Sequence, residues 1–275
     1  MADISALFES VSLPVMPAVG LALIATLDDD DAPVSKIQGL IAQDPVLTAK
    51  LLALANSAAF GLPRKVSSLD TAMGMVGLSK IRTLALSACL HNAFSVPDGI
   101  DITAFWRYSM DCAGHAQWLC GGLSGSQKVD RQKAWLAGLM LRLGELIIGQ
   151  AFPAAMLEIE AKPSLPGERW KREKTLAGFD EGEVTAALAR RWNFPSDVVH
   201  GLLFATDPLV EQPMTPLAGV LHLAGQLADV PNADVTAIDS LPVPVMAALG
   251  LKYEWLKGNF PEAGSFVNIG SLAGK

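Results

Sequence analysis

IAQDPVLTAKLLALANSAAF, residues 41–60, is the stretch that decides the fold. Asp44 has the form of a helix N-cap, because its carboxylate can accept hydrogen bonds from the first free amides, and Pro45 tolerates the first helical position. Leucines and alanines then recur at helical spacing as far as about Asn56. The Gly-Leu-Pro sequence at residues 61–63 breaks the chain after them. The stretch therefore predicts a capped, buried helix in an α-helical protein.

Helical periodicity also dominates the rest of the chain, and the alternation typical of strands is scarce. A Val-Pro-Asp-Gly turn at residues 96–99 is the clearest internal hinge, and residues 163–167 form a polar loop. The sequence predicts an all-α, two-lobed helical bundle, with lobes at residues 1–96 and 97–275. The predicted helices cover residues 18–27, 34–42, 45–56, 68–76, 80–93, 103–119, 131–149, 180–192 and 215–227, with another starting at Pro195 and short ones after Pro242.

The composition of the chain limits the classes of function that the protein can have. The 275 residues are 51% hydrophobic and 18% charged, which is enough apolar material for a substantial core. A net charge of −7 disfavours a nucleic-acid partner, which would need a basic face. The N-terminus has no basic region typical of a secretory signal, and no uncharged apolar run approaches the roughly 18–20 residues that span a bilayer. We therefore expect a cytoplasmic protein without a membrane or nucleic-acid partner.

The residues that could carry catalysis are scattered. The three cysteines lie in apolar helical stretches and predict buried free thiols in a reducing compartment. The four histidines have no HxxxH or HExxH spacing, and the chain has no CxxC pair, no phosphate loop ending in Gly-Lys and no GxSxG elbow. The sequence thus predicts no zinc site, no catalytic nucleophile and no cofactor. The cysteines are Cys89, Cys112 and Cys120, and the histidines are His91, His115, His200 and His222.

A set of motifs between Leu13 and Phe94 resembles the HDOD family, the HD-related output domains of bacterial signalling proteins. The motifs are the LPVMP of residues 13–17, the IAQDP of residues 41–45, Leu51, the ANSA of residues 55–58, the FG of residues 60–61, the VSSL of residues 66–69, Ala72, the GL of residues 77–78 and Arg82. The resemblance continues through FW at 105–106, AGL at 137–139, Gly144, Leu146, Trp192 and Pro195. It covers roughly residues 4–230, and it implies the HDOD fold.

The resemblance also implies that the second half has the fold of HD phosphohydrolases, in which histidines and aspartates hold one or two metal ions. Such ligands lower the pKa of bound water and hold the phosphate. The first histidine position falls at Tyr108, and the later histidine positions fall near Glu181 and at residues 204–205. The remaining positions, the His-Asp pair and the closing aspartate, fall at Leu141, Arg142 and Gly225.

These replacements predict that the chain is not an enzyme, because leucine cannot bind a metal ion and Arg142 places a positive charge where a cation should be. We therefore expect a non-catalytic signalling module that binds an unknown signalling protein, with a homodimer as one possibility. Two alternatives stay open: a metal-dependent phosphohydrolase with unusual ligands, and a nucleotide or anion sensor at Arg142. Arg142 could instead pair with Glu145 or another acid. The candidate binding residues are Gln43, Arg64, Lys65 and Arg142.

Overall fold

A computed structural model of the chain describes residues 3–29, 32–56, 60, 62–63, 65–94, 96–162, 164–262 and 266. Regular structure within these ranges is helical without exception, which confirms the predicted all-α fold. Short 3-10 helices lie at Cys120–Gly122, Gly125–Gln127 and Val235–Ser240. The α-helices are α1 (Ile4–Glu9), α2 (Ala18–Ile24), α3 (Val34–Ala42), α4 (Pro45–Ala55), α5 (Leu69–Val76), α6 (Leu78–Ala93), α7 (Ile102–Leu119), α8 (Arg131–Met140), α9 (Leu143–Ala151), α10 (Pro153–Glu160), α11 (Glu168–Ala177), α12 (Glu181–Arg191), α13 (Ser196–Leu203), α14 (Pro216–Ala228), α15 (Val243–Ala248) and α16 (Tyr253–Gly258).

The helices belong to two compact units. The smaller unit holds the described parts of residues 14–95 and residues 192–195, and the larger unit holds the described parts of residues 3–13, 96–191 and 196–266. One boundary thus lies at the hinge around residue 96. Two short segments depart from the division predicted by the sequence. Residues 3–13 join the larger unit, where Leu7 of α1 is buried, and residues 192–195 join the smaller unit, where the Trp192 ring packs edge-on against that of Phe94.

The smaller unit is built around α6, which packs against α2, α4 and α5. The start of α4 has the predicted cap: the Asp44 carboxylate accepts hydrogen bonds from the backbone N–H groups of Val46 and Leu47, each at 2.9 Å. Pro45 occupies the first turn. A cap of this kind stabilises a helix by about 1 kcal/mol. Asp44 is therefore accounted for by the local structure.

Asn56 has a structural role beyond ending α4. Its side-chain amide donates hydrogen bonds to the carbonyl oxygens of Leu52 and Val66, and its Oδ1 accepts one from the Val66 N–H, all at 2.8 Å. The side chain therefore fastens the end of α4 to the backbone ten residues later. This contact crosses the chain break that the sequence predicted at residues 61–63, of which Gly61 lies outside the described residues.

In the larger unit, α7 packs against α8 and α14, and α12 packs against α9 and α13. The helix predicted over residues 131–149 is in fact two helices, α8 and α9, separated by a turn at residues 141–142. The Thr185 hydroxyl explains the break, because it donates to the Leu141 carbonyl at 3.0 Å and accepts from the Gly144 N–H at 2.7 Å. The hydroxyl thus forms hydrogen bonds with backbone N–H and C=O groups that a continuous helix would pair with each other. Gly144 is needed there, because a Cβ would overlap the Glu181 carbonyl.

The same stretch is apolar. By length and composition alone, residues 131–151 could cross a membrane. However, 89% of an 18-residue apolar window within this stretch is buried inside the protein. Arg142 and Glu145 also lie near its middle. This burial is what a core helix of a helical bundle shows, since such helices are apolar on every side.

Candidate functional site

The five positions that the HD resemblance predicts to be former ligand positions lie on four parts of the larger unit. Tyr108 is on α7, Leu141 and Arg142 form the turn between α8 and α9, Glu181 begins α12, and Gly225 is on α14. All five are buried. The structure brings four of them together around the Arg142 side chain. Leu141 differs, because its contribution is the backbone carbonyl that binds Thr185.

Arg142 is at the centre of this cluster. Its guanidinium carbon lies 3.0 Å from the centroid of the Tyr108 ring, which makes a cation–π contact. Its Nη2 lies 2.8 Å from Oδ1 of Asp229, and its Nε lies 3.3 Å from Oε2 of Glu181 and 3.5 Å from Oε2 of Glu145. The arginine therefore pairs with neighbouring acids, which was one of the alternatives that the sequence left open.

A second buried arginine completes the network. Arg169 of α11 lies 3.0 Å from Glu145 through Nη2 and 3.0 Å from Glu173 through Nε, and it also pairs with Glu160. Glu173 in turn accepts a hydrogen bond of 2.8 Å from the Glu181 N–H. Glu145 thus bridges the two arginines, and Glu181 lies 3.3 Å from Arg142 and 4.0 Å from Arg169, so these two carboxylates are shared. We call these side chains the arginine cluster: Tyr108, Arg142, Glu145, Arg169, Trp170, Glu173, Glu181 and Asp229.

Trp170 occupies space that a side chain at position 225 would need. Its indole N–H donates to Oε1 of Glu181 at 2.8 Å. A Cβ built on Gly225 would lie 2.8 Å from the Trp170 ring and 2.8 Å from the Tyr108 hydroxyl. An aspartate at this position, as the HD pattern requires, would therefore collide with both rings. Asp229, one turn later on the chain, supplies a carboxylate that binds Arg142 and the Gly167 N–H.

Burial controls the protonation of the acids in the cluster. Burial raises the pKa of Glu145 to about 7, although Arg169 and Arg142 act in the opposite direction. Burial and the neighbouring Glu181 raise the pKa of Glu173 well above its ordinary value. Burial also raises the pKa of Glu181, against the charges of Arg142 and Arg169. The acids outnumber the arginines, and these raised pKa values mean that the cluster retains protons near neutral pH.

Three acids of the cluster are candidate ligands for the metal that an HD fold implies. One oxygen from each of Glu145, Glu173 and Glu181 lies within 4.8 Å of the others, a spacing that a metal ion could bridge. The same carboxylates, however, already bind two guanidinium groups, the Trp170 indole and a backbone N–H. An ion among them would lie next to both arginines, and this group contains no histidine. The residues do not fit an HD metal centre.

The other predicted binding residues lie in the smaller unit. Gln43 follows the last residue of α3 and is exposed, and Lys65 is exposed in the segment before α5. Arg64 lies outside the described residues. The structure therefore does not place Gln43 and Lys65 with Arg142, which is buried in the larger unit. Their role in binding stays a prediction.

The cysteines and His115 lie in buried environments, as predicted for the cysteines. All three cysteines are free and buried, and burial raises the pKa of Cys89 to about 11 and that of Cys120 to about 12. Burial lowers the pKa of His115 to about 3, so this imidazole is neutral at physiological pH. These thiols are poor nucleophiles, because the reactive thiolate is disfavoured.

Sequence reasoning missed four members of the cluster: Arg169, Trp170, Glu173 and Asp229. The segment ERWKREKTLA that carries the first three is highly charged, so it gave no apolar periodicity to mark a buried helix. The i,i+4 spacing of Arg169 and Glu173 was a usable signal, since such pairs face each other on a helix. Asp229 lies four residues after Gly225, and this spacing was a second usable signal.

Comparisons with known proteins agree with this architecture. The family model for the HDOD domain matches residues 13–208. An "Uncharacterized protein" of Treponema pallidum (strain Nichols) is 27% identical over 216 residues, which is 77% of this chain and 41% of that protein. The chain therefore spans less than half the length of this curated relative.

Three solved structures illustrate the similarity in fold. The "Putative phosphohydrolase" of Shewanella amazonensis SB2B superimposes with a TM-score of 0.76 at 27% identity, covering 98% of both chains. A "Putative signal transduction protein" of Marinobacter aquaeolei VT8 superimposes with a TM-score of 0.74 at 24% identity, covering 90% of this chain and 56% of the other. An HDOD domain protein of unknown function from Geobacter sulfurreducens gives a TM-score of 0.71 at 21% identity, with 90% and 88% covered.

Proposed function

Because the chain belongs to the HDOD family, which occurs in signal transduction proteins, we propose that it is a non-catalytic signalling module that acts by binding a partner protein. One observation carries the proposal. Arg142 stands where the HD resemblance puts a metal-binding residue, and its guanidinium group pairs with the surrounding acids.

The arginine supplies the positive charge that a metal ion would supply to the acids, but it cannot perform the chemistry. A guanidinium group has no open coordination position for water, and it stays protonated at any physiological pH. Tyr108 covers one face of the group, Glu181 and Asp229 accept hydrogen bonds from its Nε and Nη2, and Glu145 lies 3.5 Å away as an ion pair. Arg142 therefore has a structural role in the proposed module: its contacts join α7, α9, α12 and the residue that follows α14.

The same geometry bears on the anion-sensor alternative. Arg142 is only 9% exposed, and an incoming phosphate would have to displace Asp229 or Glu181 from it. Leaving those buried carboxylates without a partner would cost several kcal/mol, roughly 3–5 for a broken buried pair. We therefore place partner binding first, and we locate it on exposed residues such as Gln43 and Lys65.

Hydrolysis assays on the purified full chain test the non-catalytic part. The chain is to be incubated with bis-p-nitrophenyl phosphate and with mono-, di- and cyclic nucleotides in Mg²⁺, Mn²⁺ or Fe²⁺, and its metal content measured. We expect hydrolysis to be no faster than in buffer alone, and we expect less than one bound metal ion per chain. Stoichiometric, tightly held metal together with turnover that a chelator abolishes would establish the phosphohydrolase alternative and overturn the proposal.

Affinity capture from the native cell tests the binding part. We expect a signalling protein to be enriched on the native chain and to be lost from a variant with Gln43→Ala and Lys65→Ala. Lys128→Ala is a matched control, because Lys128 is likewise exposed but lies in the larger unit. If the native chain, the double variant and the Lys128→Ala control captured the signalling protein equally, Gln43 and Lys65 would not belong to the binding surface. A homodimer and a cytoplasmic location stay predictions, which size-exclusion chromatography and cell fractionation address.

A further inference from the structure

The larger unit contains a cleft of about 1010 Å³, and Trp170 is the one member of the arginine cluster among its lining residues. It is bordered by α11 on one side and by the segment between α13 and α14 on the other, and residues of α14 form its floor. Its volume is at the upper end of the range of small-molecule sites, which is about 300–1,000 Å³. The cleft is therefore large enough for an organic ligand.

Exposed aliphatic side chains flank this cleft. Leu165 is 73% exposed and Val210 is 67% exposed, and both line it together with Leu203 and Phe204. Single exposed aliphatic residues are ordinary, but a group of them around one cavity indicates a surface that gains by being covered. A ligand with an apolar body would cover this surface.

The floor of the cleft is uncharged. Nδ1 of His222 lies 2.8 Å from the Ala205 carbonyl oxygen, so this nitrogen carries the proton and donates it. Nε2 of His222 then accepts from the side-chain amide of Gln226 at 2.9 Å. Burial lowers the pKa of His222, which keeps the ring neutral. The Trp170 ring, with its centroid 5.2 Å from that of His222, adds an aromatic surface.

The charges around the cleft are mostly negative. Four carboxylates line it, those of Glu168, Asp180, Glu183 and Asp207, against the two ammonium groups of Lys171 and Lys174. Lys174 is taken by Glu183, with Nζ 2.6 Å from Oε2. The Asp180 carboxylate accepts the Glu183 N–H, and Glu168 accepts that of Leu165. The exposed Asp207 is the carboxylate for which no such internal bond is found in the described part of the chain.

We propose that this cleft binds a small organic amine, with its ammonium group paired to Asp207 and its apolar body against Phe204 and the aliphatic residues. The excess of carboxylates repels phosphates and other anions and attracts a cation, and aromatic rings add to that attraction. The proposal goes beyond the signalling role above and does not depend on it, since neither Gln43 nor Lys65 lines the cleft.

Three probes with the same aromatic body separate the charge contribution from the apolar one. Phenethylamine is a cation, phenylalanine a zwitterion and 3-phenylpropionate an anion. Isothermal titration of the full chain should give affinities in that order, with the amine at least about tenfold tighter than the anion, which corresponds to about 1.4 kcal/mol. AMP should bind more weakly than the amine.

Two single substitutions at exposed positions then test the site. Asp207→Asn should weaken phenethylamine severalfold and leave 3-phenylpropionate no weaker. Lys171→Gln, the matched change of opposite sign, should strengthen phenethylamine. Absence of saturable binding of phenethylamine at millimolar concentration, tighter binding of the anion or of AMP, or an affinity for the amine that Asp207→Asn leaves unchanged would each overturn the proposal. The hydrolysis and capture experiments would be unaffected by these outcomes.

Discussion

The smaller unit and the larger unit bury different kinds of polar side chain. Among the described residues, the buried polar side chains of the smaller unit are the hydroxyls of Thr26, Thr83 and Ser87. Thr26, just after α2, donates to the Leu23 carbonyl, and Ser87 of α6 donates to the Thr83 carbonyl one turn earlier. The larger unit buries arginine, glutamate and aspartate side chains as well.

This difference shows that one chain stabilises its helices in two ways. In the smaller unit, apolar burial and local caps are sufficient. In the larger unit, α9, α11, α12 and α14 meet through buried ion pairs, and such pairs are stabilising only while every partner remains. The two units should therefore respond differently to substitution and to pH, and the following measurements test whether they do.

Arg142→Ala should produce the largest effect. It leaves Glu145, Glu181 and Asp229 buried without their shared cation, so we expect a loss of about 3–5 kcal/mol in the free energy of unfolding. Denaturant titration measures the loss, and amide exchange should locate it in the larger unit. Added guanidinium ion should restore part of the stability. Lys128→Ala, an exposed control, should change stability by less than about 0.5 kcal/mol. A loss no larger than the control's would mean that the cluster does not stabilise the fold.

Leu51→Ala is the counterpart in the smaller unit. Leu51 of α4 is fully buried, and removing its isobutyl group leaves a cavity that should cost about 3 kcal/mol. The loss should be independent of pH and unaffected by guanidinium ion, because no charge is involved. Denaturant titrations at several pH values measure it. If the loss varied with pH as strongly as that of a cluster variant, the contrast between the units would fail.

Glu145→Gln should reveal the pH dependence of the larger unit. Glu145 has a folded-state pKa of about 7 against an ordinary value of 4.5, so its stabilising contribution is complete below 4.5 and is lost as the pH rises through 7. Glutamine resembles the protonated acid at every pH. The variant should therefore gain about 2–3 kcal/mol relative to the native chain between these limits. Denaturant titrations from acid to mildly alkaline pH measure the difference, and a constant difference would contradict the assigned pKa.

Asp44→Ala should give the smallest of these effects. It removes the two hydrogen bonds that cap α4 and should cost about 1 kcal/mol without dependence on guanidinium ion. Asp70→Ala is a suitable comparison, since Asp70 lies in the first turn of α5 without being its cap, and it should cost only a few tenths of a kcal/mol, about 0.3. Equal losses would mean that the cap at Asp44 contributes no more than a helix-end charge.

Most of the fold could be predicted from the sequence, because apolar spacing and caps are local signals. Asp44 marked the start of α4, and periodicity marked α6, α7 and α14 within a few residues. The turn at residues 141–142 could not be predicted, since its cause is the hydroxyl of Thr185, which is distant in the chain. The charged helix α11 was missed for the opposite reason: its buried face is polar.

The candidate site was predicted only in part. The resemblance to the HD pattern selected Tyr108, Arg142, Glu181 and Gly225, and these converge in the structure. It gave no indication that Asp229 pairs with Arg142 or that Trp170 fills the space beside Gly225. Both contacts depend on the packing of α11 and α14 beside the turn at Arg142, which no spacing along the chain encodes.

The sequence by itself determined that the chain is all-α and that it carries the HDOD motifs, and it led to the prediction that the HD ligand positions hold other residues. The tertiary structure alone decided what those residues do. Arg142 reaches Glu181 and Asp229, which are 39 and 87 residues away in the sequence, and it lies against the Tyr108 ring. The physical reason is that helix formation depends on neighbours within a turn or two, whereas a buried charge requires partners that only the packing of distant helices can supply.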